Sequence, residues 1–159
     1  MKALVLTLAL IAAASSSASA QEMSLLGTWE IVQAQPAPWV DESQHARLAA
    51  EGKRMLKQTI TFAARDVAAR NKALACRRAE YESTQYEADA IFQGNLPEPN
   101  PTAAALRLGF KKGEIPGVDL RCTSGTYSYH FRDRNTALTA LSNVIYTLKR
   151  QNAADKVIE

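Results

Sequence analysis

Between residues 127 and 132 the chain alternates without a break: Tyr127, Tyr129 and Phe131 are separated by Ser128, His130 and Arg132. Successive side chains leave a strand on opposite sides, so a period of two marks a strand with one face on a core. On a helix Tyr129 would fall opposite Tyr127 and Phe131, so the three rings could not share one face. Ser124-Gly125 ahead of this run and Asp133-Arg134-Asn135 behind it are turn chemistry, since Gly and Asn tolerate positive φ. Residues 118–123 then read as the preceding strand, with Leu120 and Cys122 facing inward. Residues 136–141 and 144–149 read as two further strands joined at Ser142-Asn143. The C-terminal third is thus expected to form a three- or four-stranded antiparallel meander. The fold class is mainly β, a single small antiparallel barrel or meander with short helical inserts.

Upstream, residues 25–32 read as the first strand, with Trp29 and Ile31 on one face and Thr28 and Glu30 on the other. Gln35-Pro36-Ala37-Pro38-Trp39 is expected to leave the sheet, because proline cannot donate to a ladder. Trp39 either marks a binding surface or caps the barrel end, and the cap is the better fit. Asp41 or Ser43 should cap a helix through Ala50, with Gly52 as its stop and His45 solvated. Residues 55–62 alternate as a second strand with Ile60 and Phe62 inward, whereas 63–71 fit either a short strand around Val67 or a turn of helix. Residues 74–76 and 79–82 read as one more strand that brings Tyr81 near Cys76. A helical turn over 88–92 should end at Gly94. An insert over residues 95–110 follows, made of a proline-rich connector and a helix that Pro101 begins. It serves either as a plain connection or as the flank or lid of a binding site.

Residues 1–20 read as a cleavable signal peptide. Lys2 precedes an apolar run over 4–14, and Ala18-Ser19-Ala20 suits cleavage after Ala20. The run is shorter than the ~20 residues a bilayer crossing needs, so the chain is not expected to span a membrane. Residues 21–159 make one β-rich domain. Of the 19 basic residues, Lys2 goes with the leader, leaving 18 against 16 acidic ones. That balance offers no clustered basic face for nucleic acid. Export to the periplasm, with secretion also open, places Cys76 and Cys122 in an oxidising compartment. One disulfide is expected there, the alternative being two buried thiols. Closing a 46-residue separation would contribute about 4 kcal/mol in the chain-entropy account. No His or Cys stands at metal-ligand spacing from either cysteine, so no metal is expected.

Reaction chemistry is missing from the pattern. The seven glycines form neither a dinucleotide nor a phosphate-binding loop, and no cofactor is implied. A Gly-x-Ser-x-Gly elbow is absent. His130 lies six residues from Ser124 without a carboxylate placed to orient it. Glu80 and Glu82 stand two apart on one strand face, about 7 Å, and read as its solvent side rather than a glycosidase pair. The chain is expected not to be an enzyme, and binding is the remaining function class.

Two resemblances give that expectation content. Gly27-Thr28-Trp29 is similar to the Gly-x-Trp that opens the first strand of lipocalin-like barrels, where the tryptophan closes the barrel bottom. The resemblance implies a carrier of a small apolar ligand, with Tyr127, Tyr129 and Phe131 lining the interior. Ser124-Gly125-Thr126-Tyr127 resembles the Ser-Gly-x-x-Tyr loop of the bacterial membrane-bound and periplasmic inhibitors of chicken-type lysozyme, small exported β-barrels with a disulfide. That family's loop enters the lysozyme cleft, and its serine hydroxyl hydrogen-bonds a catalytic carboxylate. The resemblance implies a protein partner, a peptidoglycan hydrolase, with Ser124 inserted and Tyr127 bracing it. Gly125, Thr126 and His130 complete the expected partner-binding set. The family's second loop, with its lysine, has no definite counterpart. Lys149 follows Tyr146 without the expected glycine. A slightly basic chain suits an endogenous muramidase or lytic transglycosylase better than a basic lysozyme.

Overall fold

A computed structural model describes residues 24–151; residues 1–23, on which the expected signal peptide falls, and residues 152–159 lie outside the described residues. Within them nine antiparallel strands form one sheet in the order β4-β3-β2-β1-β9-β8-β7-β6-β5. The strands are β1 (Gly27–Pro36), β2 (Thr59–Phe62), β3 (Asp66–Ala69), β4 (Cys76–Arg77), β5 (Glu80–Tyr86), β6 (Ile115–Cys122), β7 (Gly125–Asp133), β8 (Thr136–Leu141) and β9 (Val144–Arg150). Helix α1 (Glu42–Lys53) follows β1, while a 3-10 turn (Ile91–Gly94) and helix α2 (Pro101–Arg107) separate β5 from β6.

The sheet curls into a half-barrel compatible with a lipocalin-like barrel. Its two edge strands, β4 and β5, are joined in sequence by only Arg78 and Ala79. Three links draw those edges together: the Cys76–Cys122 disulfide, the Ala79 N–H donating to Arg65 O at 2.7 Å, and the Tyr81 hydroxyl donating to Ala63 O at 2.8 Å. An edge of two residues leaves little unpaired backbone for another chain to extend.

Period-two alternation sorts the strand residues onto two faces. The concave face buries Trp29, Ile31, Ile60, Phe62, Leu120, Tyr129, Phe131 and Leu148. Phe62 meets Tyr129 edge-on at 5.3 Å, and Trp29 meets Phe131 at 6.1 Å. The expected aromatic stripe therefore fills the interior. Trp29 is fully buried, and the Arg150 guanidinium lies 4.3 Å above its ring and donates to Leu26 O and Ser24 O. The convex face of β8 and β9 is apolar too, through Leu138 and Ile145, and needs its own cover. The 91–94 turn and the insert supply it together: Ile91 and Phe92 of the turn, and Leu96, Ala104, Ala105, Leu108 and Phe110 of the insert, pack there as a second core. The insert is thus a layer of the fold.

Several expectations need correction. Strand β1 runs on through Pro36, which pairs with Val144 of β9 after a bulge between Ile31 and Gln33. Strand β2 has already ended alongside Glu30, so the N–H that Pro36 lacks faces no neighbour. Likewise β6 starts at Ile115, and its Pro116 precedes the residues paired with β7. Gly52 does not stop α1: it is buried within it, where an added Cβ would stand 2.8 Å from the Ala34 Cβ. Residues 55–58 form the turn out of that helix, with Lys57 at a φ of 63°. Residues 74–82, expected as one strand, break at Arg78 (φ 56°) into β4 and β5 on opposite edges. Trp39 does not cap the barrel; it packs 5.8 Å from Phe92 on the convex side. Asn100 caps α2 by accepting from the Ala103 N–H at 2.8 Å, ahead of Pro101.

Candidate functional site

The β6–β7 hairpin presents the expected loop, one residue out of register with the sequence reading. Cys122 pairs with Gly125, so the two-residue turn is Thr123-Ser124 and Gly125 opens β7. Neither Thr123 nor Ser124 has positive φ, so the turn is not of the primed kind that matches strand twist. Gly125 absorbs the mismatch at a φ of 137°, with nothing within 4 Å of where a Cβ would sit.

Thr123, Ser124, Gly125 and Thr126 are all exposed, and Tyr127 is half-buried. The Ser124 and Tyr127 hydroxyls lie 3.2 Å apart, within hydrogen-bond reach. At the base of the turn, Cys122 is bonded to Cys76 of β4, which ties the tip to the far edge of the sheet. On the flank, Arg121 pairs with Glu82 of β5. Glu80 and Glu82 are both exposed, the solvent face expected of them.

His130 is not brought to this loop. It faces the convex side, fully buried, with its ring edge-on to Tyr86 at 4.7 Å and to Phe92 at 4.8 Å. Its Nε2 accepts from the Phe92 N–H at 3.0 Å, which puts the proton of the neutral ring on Nδ1, an atom without a partner. Burial holds its pKa down to about 4, against a smaller opposing pull from Asp119. Asp119 in turn accepts from the Tyr86 and Ser128 hydroxyls, each at 2.6 Å. Burial, followed by that carboxylate, raises the Tyr86 phenol to about 12. Buried inside the second core, His130 cannot touch a partner, and it serves instead as the acceptor that fixes the 91–94 turn. The long-range packing of that turn is what the strand pattern could not reveal.

Among the described residues no group of His, Cys, Asp or Glu is arranged to hold a metal ion, and no helix is long and apolar enough to cross a membrane. No protein-family model, curated protein or solved structure matches the chain.

Proposed function

We propose that the protein is a periplasmic inhibitor of a peptidoglycan hydrolase of the lysozyme or muramidase type, inserting the Thr123–Thr126 tip into the target's active cleft. The observation that carries this is an exposed Ser124 hydroxyl on a two-residue turn, braced by Tyr127 and anchored at its base by the disulfide. An element already held in one conformation loses little entropy on association. The catalytic groups of such hydrolases are recessed carboxyls flanking a glycosidic bond. An ionised carboxylate only accepts hydrogen bonds. When the Tyr127 O–H donates to Ser124 Oγ, the serine proton is directed away from the fold, toward such an acceptor. Gly125 adds no bulk beside it. The disulfide and the 1–20 leader suit an exported chain, and the small positive charge suits an endogenous target.

The test is the rate of peptidoglycan hydrolysis by a panel of muramidases and lytic transglycosylases with purified protein added. At least one enzyme should slow saturably. Ser124→Ala should weaken inhibition about tenfold, equivalent to about 1.4 kcal/mol, without moving the thermal transition. A bulky side chain is better placed at exposed Thr126, as Thr126→Trp, than at Gly125, whose φ strains any L residue. Full activity across the panel would contradict the proposal.

A carrier role is the second possibility, favoured by one feature: a cleft of about 410 Å³ with a mostly apolar lining at Leu25, Leu26, Tyr81 and Val118, near the seam of the half-barrel. Saturable binding of an apolar fluorophore, lost in Leu26→Glu, would support it; unchanged fluorescence would remove it.

A further inference from the structure

Three of the clefts on the described surface differ in chemistry. The one at Leu25 and Leu26 is apolar, and a second carries Glu51, Arg54 and Arg70. The third, about 280 Å³, is lined without a single charged residue by Trp39, Gln93, Asn95, Ser128, Ser142 and Asn143, with Ala140 and the buried Phe92 completing it. It lies on the convex side. The register pairs His130 with Leu138, which sets the Ser142-Asn143 turn at the same end of the sheet as Thr123-Ser124. Ser128 stands three residues along β7 from Gly125, about 10 Å.

The backbone around this cleft is strained where nothing in the hairpins requires it. Ser142 (φ 49°) and Asn143 (φ 65°) form a two-residue hairpin turn that demands positive φ at both positions. Phe92 (φ 51°) and Gln93 (φ 62°) have no such role, and left-handed residues of this bulk cost about 1–3 kcal/mol each. The surroundings hold them there. The Phe92 N–H is fixed on His130 Nε2, and its carbonyl accepts from Asn95 Nδ2 at 2.6 Å. Strain maintained in this way is characteristic of binding sites, and here it sets Gln93 on the cleft wall with Trp39.

The polar groups are also oriented. The Trp39 Nε1–H donates to Asn143 Oδ1 at 3.0 Å, which leaves the Asn143 amide nitrogen as a donor. Asn95, having committed its nitrogen, keeps an acceptor oxygen. Among the described residues the Gln93 amide and the Ser142 hydroxyl have no hydrogen-bond partner. An indole beside primary amides and a hydroxyl, with no cation or carboxylate, matches one ligand chemistry closely. A pyranose ring has an apolar C–H face for the indole and vicinal hydroxyls that pair with amide donors and acceptors. Phosphate or carboxylate ligands would call for Arg or Lys, which the lining lacks. The volume lies just below the ~300–1,000 Å³ of drug-sized ligand sites, and suits a single sugar ring.

We propose that the Trp39–Gln93–Asn143 cleft is a binding site for a neutral saccharide, separate from the hairpin tip. It does not depend on the hydrolase proposal. The test is calorimetric titration of the protein with the β-1,4 tetramer of N-acetylglucosamine, the β-1,4 tetramer of glucose, and inorganic phosphate. At least one tetramer should bind with a Kd in the range of about 0.1–10 mM. Trp39→Ala and Asn143→Gly, the latter preserving the left-handed turn, should each weaken it roughly tenfold. Ser124→Ala should bind sugar as the parent chain does. Preference for the N-acetylglucosamine tetramer assigns the amides to the acetamido group; preference for the glucose tetramer assigns them to ring hydroxyls. Absence of saturable heat with both tetramers, undiminished binding in both cleft variants, or tighter binding of phosphate would overturn the proposal.

Discussion

His130 couples the second core to pH. Its imidazole is neutral in the fold and titrates at about 4 there, whereas an unfolded chain takes up the proton near 6.5. Between those values the unfolded state binds the extra proton, so stability falls as pH falls. The contribution is fully present above 6.5 and lost by pH 4, about 3 kcal/mol in all. Protonating Nε2 would also remove the acceptor for the Phe92 N–H. The measurement is the unfolding free energy against pH for the parent chain and for His130→Gln, which keeps an acceptor but does not titrate. The difference between the two curves should slope only between pH 6.5 and 4. At the same scale, Gly117 has ordinary φ but no room: a Cβ would stand 2.6 Å from the Tyr86 ring and 2.9 Å from Tyr129 O. Gly117→Ala should therefore destabilise by about 1–3 kcal/mol, read by denaturant titration, as Tyr86 is pushed off Asp119 and His130.

At the scale of elements, α1 separates packing from propensity. Replacing a glycine of ordinary helical φ in the last turn of a helix by alanine ordinarily stabilises, by up to ~1 kcal/mol. In α1 the added methyl of Gly52→Ala would meet the Ala34 Cβ at 2.8 Å and the Val144 Cγ1 at 3.1 Å, and neither can swing away. The net effect expected is a loss of about 1–2 kcal/mol, measured as a lower denaturation midpoint; a gain would contradict the close helix–sheet approach. This glycine also shows what the sequence could convey. The strands β7, β8 and β9 were legible because alternation and turn residues are local signals, and the α2 start was legible from Pro101. Gly52 read as a stop because its actual reason, Ala34 on another element, is non-local. The same holds for the insert and the turn before it: the prolines announce a connector, but nothing local says that Phe92 and Phe110 cover Leu138 and Ile145. At the site, Ser124 and Tyr127 were visible as a motif. Gln93 and Asn95 were not, since only the folded sheet brings them beside Trp39 and Asn143.

Over the whole molecule, the half-barrel holds its shape through links that are not ladder hydrogen bonds. One is the disulfide: Cys76→Ala with Cys122→Ala should lower stability by about 2–4 kcal/mol. It should also loosen the hairpin tip, so inhibition should weaken more than the thermal shift alone explains. Another is Arg150 over Trp29, joining β9 to the start of β1. Arg150→Ala removes a cation–π contact and its donors to Leu26 and Ser24, an expected loss of about 1–3 kcal/mol with a red-shifted tryptophan emission. A rigid tip that occupies an enzyme's cleft is the central proposal. The direct measurement is steady-state kinetics of a sensitive muramidase on a soluble glycan at increasing protein concentration. Insertion of Ser124 into the cleft predicts a rising apparent KM at constant kcat, with the effect displaced about tenfold in Ser124→Ala. A falling kcat at constant KM, or equal potency of Ser124→Ala, would show that the tip does not enter the cleft.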